Sequence, residues 1–333
     1  MKNKPALVAE VSRGNFVESR HAIDCIVADA TGNVVTTFGN EELNIFPRSA
    51  IKSLQALPLV ESGAADAFGF EDKHLALACS SHNAQSMHVE TALDMLNRSG
   101  VEPVCLECGA QPPQFPQHHA ELIEEGTKIS AIHNNCSGKH AGFLAFARHN
   151  GINLKNYIDY EHPVQQEIAS TLQEVTGSPH GSDNFAIDGC SIPTYMIPLK
   201  NLAIAYAKFG VGEDPSSSRS KAMLRLRDAC MHCPEMVAGD FRACTRIMNA
   251  AKGRVFVKVG AEGVYTASLP ENGLGIAMKA RDGNFRAVEV ATAFLIEQLI
   301  ELNDSESQAF KPLSNPTLKN WNGLHVGQIQ VAQ

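Results

Sequence analysis

The order in which patterned runs follow one another constrains this chain most. Two β-rich stretches open it, "ALVAEVSRG" and "AIDCIVADATGNVVTTFG", and "ATGN" supplies a hairpin turn within the second. Helix-like stretches follow at about 48–61, 84–98, 136–150, 163–176, 195–209, 216–231 and 240–251. Three strand-like runs come next, "RVFVKVGA", "GVYTASLP" and "LGIAMKARDG", and an apolar helix at 287–302 closes the body. Strands, helices, strands and helix in that order predict an α+β fold, an antiparallel sheet flanked by helices, over alternating βαβ units. No linker, repeat or low-complexity tract cuts the chain. Residues 1–333 are therefore expected to form a single domain, with two β-rich ends building one sheet and a helical middle at about 84–251. The proline-rich "CGAQPPQFPQHH" should be irregular, with His118 and His119 facing water.

Composition narrows what such a fold can do. The chain is 44% hydrophobic and 19% charged, with no apolar run near the roughly 20 residues a membrane span needs. The opening "MKNKPALVAEVSRGN" lacks the long apolar region of a signal peptide. A net charge of −8 without a basic cluster argues against nucleic acid and anionic membranes. Nine cysteines, an odd number, read as reduced thiols of a cytoplasmic protein. The pairs Cys105/Cys108 and Cys230/Cys233 lie too far apart for a zinc ribbon and read as incidental.

Four local patterns carry chemistry. In "NIFPRSAIKSLQALPLV", Ser49 and Lys52 stand three apart on one helix face, with Ile51, Leu54, Leu57 and Leu59 supplying the core side. Ser-x-x-Lys alone is a common accident of solvated helices. Here Pro47 sets Ser49 in the first turn, where orphan N–H groups favour developing negative charge. Apolar neighbours would desolvate Lys52 and favour a neutral amine able to take the serine proton. In "CSSHN", Ser81 and Asn83 either cap the next helix or line the same cleft. In "KVGAEG", Lys258 ends a strand and Gly260 would let backbone approach a ligand, although a strand lysine is more often a surface residue. The order Ser-x-x-Lys, Ser-x-Asn, Lys-x-Gly is the plan of penicillin-binding proteins and serine β-lactamases. Lastly, "IHNNCSGKHAG" and "AIDGCSIPTY" bring the soft and nitrogen donors Cys136, Lys139, His140 and Cys190, with Asp188 able to orient a water. Their spacing matches no recognised zinc motif, and buried cysteines beside a helix start are the plainer alternative.

The stretches "PRSAIKSLQALPLVESGAAD", "LALACSSHN", "HNNCSGKHAGFLA", "DGCSIPTY" and "KVGAEGVYTASLPENGLGIAMKARDG" resemble the Rhizobium etli-type (class 3) L-asparaginases over nearly the whole chain. The resemblance implies a fold like that of serine β-lactamases, penicillin-binding proteins and serine-dependent glutaminases, and hydrolysis of L-asparagine to L-aspartate and ammonia. It implies two Ser–Lys pairs, Ser49 with Lys52 and Ser81 with Lys258, and a zinc ion on Cys136, Lys139 and Cys190 with Asp188 behind them. Ser81 is taken over Ser80 because it directly precedes His82. Arg48, His82, Asn83, Asn134 and Gly260 are the expected substrate contacts, and a homodimer is the expected assembly. Two other readings compete: a zinc-water amidohydrolase in which the serines only orient, and a non-catalytic asparagine-binding protein.

Overall fold

The computed structural model describes residues 4–214 and 216–332; residues 1–3 of the opening segment lie outside them. The chain divides into two compact units, one comprising Met1–Ala50, Ile197–Val211 and Arg246–Gln333, the other Ile51–Met196 and Gly212–Thr245.

The first unit is built on one antiparallel sheet. Seven strands lie side by side in the order Thr317–Lys319, His325–Val331, Leu7–Arg13, Phe16–Asp29, Leu274–Ala280, Val264–Leu269 and Phe256–Val259. Val34–Phe38 pairs with the later half of Phe16–Asp29 as an eighth strand, after the turn expected at "ATGN". Helices cover both faces. Gly275 leaves room for the helix Leu199–Val211, since a Cβ there would sit 2.0 Å from the Ala203 carbonyl oxygen. Met278, three positions on and so on the opposite face, meets Thr292 of the helix Phe285–Leu299 at 3.7 Å. Burial on both sides explains why every residue of Val264–Leu269 is buried. The fold is thus of the α+β class expected, an antiparallel sheet flanked by helices.

The second unit is helical, and the helix Ser137–His149 runs through its core with every residue from Ser137 to Ala147 buried. Asp72–Ala78, Ser86–Arg98 and Pro163–Thr176 pack around it. A Cβ on Gly138 would lie 2.4 Å from the Leu77 carbonyl oxygen. Only glycine permits that approach, and it brings the start of the central helix against the end of Asp72–Ala78. No helix among the described residues is long and apolar enough to cross a membrane.

Several elements differ from the sequence reading for identifiable reasons. The helix expected at 48–61 is broken into a 3₁₀ turn, Arg48–Ile51, and two short helices, Lys52–Gln55 and Leu57–Glu61. Pro58 lacks the N–H that the Leu54 carbonyl would receive in a continuous helix. Within the stretch expected to be irregular, Pro116 opens the helix Pro116–Glu124 from its first position. That turn buries His118 and sets its Nδ1 3.2 Å from Glu121, so His118 does not face water as expected. The helix Asp304–Ser314 carries Pro312 inside it, which hides its pattern.

Candidate active site

Ser49 sits half-buried on the turn Arg48–Ile51, in the first unit. Arg48, also half-buried, adopts φ +50°, a left-handed backbone that costs a non-glycine residue on the order of 1–3 kcal/mol and persists where the surroundings impose it. The surroundings are specific. The Ala50 N–H donates to the Pro47 carbonyl at 3.0 Å. The Ala50 carbonyl accepts from the Tyr206 hydroxyl and, at 3.3 Å, from Thr266 Oγ1. Gly260 lies flush against the same turn, because a Cβ there would be 2.5 Å from the Pro47 carbonyl oxygen. The backbone that approaches Gly260 is therefore this chain's own. Lys258 is fully buried near the end of Phe256–Val259, and its Nζ donates to the Val259 carbonyl at 2.8 Å.

In the second unit the helix Asp72–Ala78 ends at Cys79, and the chain continues as an irregular segment bearing Ser80 to Ala84. Its backbone is held on two sides, Ser81 N–H to Val237 O at 2.8 Å and His82 N–H to Asn135 O at 3.2 Å. Lys52 is 1% exposed, and its Nζ donates to the Ser80 carbonyl at 2.6 Å and to Ser81 Oγ at 2.9 Å. Within the second unit the serine hydroxyl bonded to Lys52 is that of Ser81.

The other expected substrate contacts divide into two kinds. His82 is buried, and both ring nitrogens are used. Nδ1 accepts from the Ala84 N–H at 3.0 Å, so Nε2 donates to Ser137 Oγ at 2.9 Å. Asn134 is used up in the same way: its amide donates to the Cys108 and Gly109 carbonyls, and its oxygen accepts from the Cys136 N–H at 2.8 Å. Both side chains hold the frame. Asn83 donates to the Asp240 carbonyl at 3.1 Å and accepts from Arg242 Nη1 at 3.3 Å, and Arg242 also reaches Gln114 at 3.0 Å. Arg242 and Gln114 stand in no recognisable motif, and the sequence reading passed over them.

Burial holds His82 and its stacking partner His88 neutral. Burial dominates the lowering at His82, aided by the neighbouring His88 and Lys52, and burial brings His88 from 6.5 down to about 4. His88 accepts from the Gln85 N–H at 3.1 Å and donates to the Glu235 carbonyl at 2.9 Å, which fixes a neutral tautomer. The unfolded chain takes up protons first as pH falls. Stability is therefore complete above about pH 6.5 and declines as pH falls toward about 4, by about 3 kcal/mol for His88. Urea unfolding at a series of pH values should show this acid limb, and His88→Gln should flatten it. An unaltered limb in that variant would remove His88 as its source.

A sulfur–nitrogen cluster completes the second unit's set. Cys136 stands at the N-cap position of Ser137–His149, and its thiol donates to Asn135 Oδ1 at 3.0 Å. Lys139 Nζ donates to Cys190 Sγ at 3.0 Å, and Asp188 Oδ2 lies 3.6 Å from the same sulfur. Cys136 is held well below the ordinary thiol value, first by the hydrogen bond from Cys190 and then by the charges of Lys52 and Lys139, against the effect of burial. Cys190 is pushed well above it by the same shared proton and by burial. Burial opposes the charge on Lys139, but Cys190, Cys136 and Asp188 together outweigh it and raise the lysine above its usual value. Among the described residues no three His, Cys, Asp or Glu side chains are placed to hold a metal. A metal here would need Lys139 to give up its proton and ligate as a free amine beside the two thiolates. Two soft sulfurs and a nitrogen within hydrogen-bonding reach, with a carboxylate behind, form a donor set that suits zinc.

A family model described as L-asparaginase II matches residues 9–331. No curated protein matches significantly. Among solved structures the chain aligns with a β-lactamase from Mycobacterium bovis at 14% identity, covering 84% of this chain and 95% of that one, with a TM-score of 0.43. It also aligns with Mglu in its native form in 4.3 M NaCl, at 14% identity over 85% of this chain and 63% of that one, with a TM-score of 0.46.

Proposed function

From a chain that belongs to the L-asparaginase II family, an asparaginase-type amidohydrolase acting on a small molecule, we propose hydrolysis of L-asparagine to L-aspartate and ammonia through an acyl-enzyme on Ser49. The observation that supports this most is Lys52, fully buried with its Nζ donating to the Ser81 hydroxyl at 2.9 Å; Ser49 stands three residues before that lysine in the chain. Ser49 Oγ attacks the carboxamide carbon as its proton passes to the Lys52 amine. Backbone N–H groups, the Ser49 N–H among them, stabilise the oxyanion. Lys52 and Ser81 relay the proton to the leaving nitrogen. The C–N bond then breaks, ammonia departs, and water attacks the ester to release L-aspartate and restore the Ser49 hydroxyl. Lys258, the lysine that the family resemblance pairs with Ser81, is assigned to binding the substrate. Arg48, Asn83 and the backbone at Gly260 are assigned to substrate recognition.

Cys136, Cys190 and Lys139 would hold a zinc ion, with Asp188 orienting its surroundings; bound there, the metal would supply Lewis-acid polarisation and positioning. Cys136→Ala or Cys190→Ala is expected to remove the metal, measured as zinc per chain by emission spectroscopy. One zinc per chain retained in either variant would count against the site. The functional reading is tested by ammonia release from L-asparagine and L-glutamine, with and without a chelator. Release from L-asparagine that survives chelation supports the serine route, and complete loss on chelation supports attack by metal-bound water. A homodimer and a cytoplasmic location complete the proposal.

A further inference from the structure

We propose that Thr266 and Tyr206 are positioning residues for the reaction, holding the Ser49 turn through the carbonyl of Ala50. The inference rests on the reading of Ser49 as nucleophile. Thr266 stands directly opposite Lys258 in the pairing of Phe256–Val259 with Val264–Leu269, so the two side chains share one face of the sheet. Its hydroxyl lies 3.3 Å from the Ala50 carbonyl and 3.2 Å from the Lys258 carbonyl. One side chain thereby ties the nucleophile's turn to the strand that carries the lysine.

A threonine hydroxyl has a single hydrogen to share between those two carbonyls. Tyr206 supplies a second donor to Ala50. It does so from a fixed position, its ring stacked on Phe256 at 6.0 Å and edge-on to Phe209 at 5.8 Å, and its own carbonyl takes the Ser268 hydroxyl. Both side chains are buried, so the donors cannot be replaced by bulk water. The turn they grip contains the left-handed Arg48, and Gly260 closes over its Pro47 end. A strained backbone immediately before a nucleophile keeps its geometry only while such grips hold. A displacement of about 1 Å at the nucleophile is enough to lower turnover by about 100-fold.

The test compares Thr266→Val, Thr266→Ser and Tyr206→Phe with the parent. The readouts are kcat and KM on L-asparagine, melting temperature, and the rate at which a fluorophosphonate labels Ser49. Thr266→Val and Tyr206→Phe should each lower kcat and the labelling rate by roughly 10- to 100-fold, with KM within about twofold. Thr266→Ser, which restores the donor, should recover most of the loss at a similar melting temperature. Labelling and kcat within twofold of the parent in Thr266→Val and Tyr206→Phe would overturn the inference, as would a loss in Thr266→Ser equal to that in Thr266→Val. Where the parent labels at Ser49 and the variants label equally fast, positioning alone fails. A parent that turns over yet never labels at Ser49 defeats the nucleophile assignment, and this inference with it.

Discussion

Ser49→Ala is expected to abolish ammonia release while leaving the fold intact, with turnover reduced by roughly 10⁴–10⁶. The size of the effect follows from the role. Without the hydroxyl no ester can form, and only water attack within the remaining polar frame is left. The substitution itself is mild, because Ser49 is half-buried and Ala50 beside it already packs on the same turn. The grips on that turn go to the backbone of Pro47 and Ala50 and survive the change. Steady-state ammonia release together with the melting temperature checks both halves of the expectation. Activity within tenfold of the parent at an unchanged melting temperature would sink the assignment.

Lys52→Met and Lys52→Arg form the second prediction, and their comparison separates charge from basicity. Methionine matches the volume but leaves the Ser80 carbonyl and Ser81 hydroxyl without their donor, at about 1–3 kcal/mol each if nothing replaces it. Arginine keeps a cation and donors but cannot give up a proton to act as a base. If Lys52 is the base, both variants should lose about 10²–10⁴ in kcat, and arginine should do no better than methionine. Near-parental turnover in Lys52→Arg would show that only the positive charge matters.

Much of the fold was legible because the sheet's strands and the long helices announce themselves by alternation and by their caps. The order of those runs was enough to specify an antiparallel sheet with helices on it. What escaped was local chemistry that overrides a pattern: Pro58 breaking one helix, Pro116 starting another, Pro312 masking a third. At the site, residue type and spacing pointed to Ser49 on a first helical turn, Lys258 at a strand end and Cys136 at a helix start. Spacing could not show that Lys52 reaches a serine 29 positions away, because helical periodicity says only which neighbours share a face. Nor could it show Tyr206 and Thr266, whose bonds run to backbone carbonyls and leave no motif behind. The left-handed backbone at Arg48 was hidden for a related reason: arginine has no preference for it, and only the finished structure imposes it.

The serine route requires an ester on Ser49. Enzyme turning over L-asparagine, quenched in acid and digested, should yield the Ser49 peptide carrying a β-aspartyl group, and the adduct should disappear once substrate is exhausted. It should form equally in chelated enzyme. Ammonia release with Ser49 unmodified, or with the aspartyl group on Ser81 instead, would contradict the account.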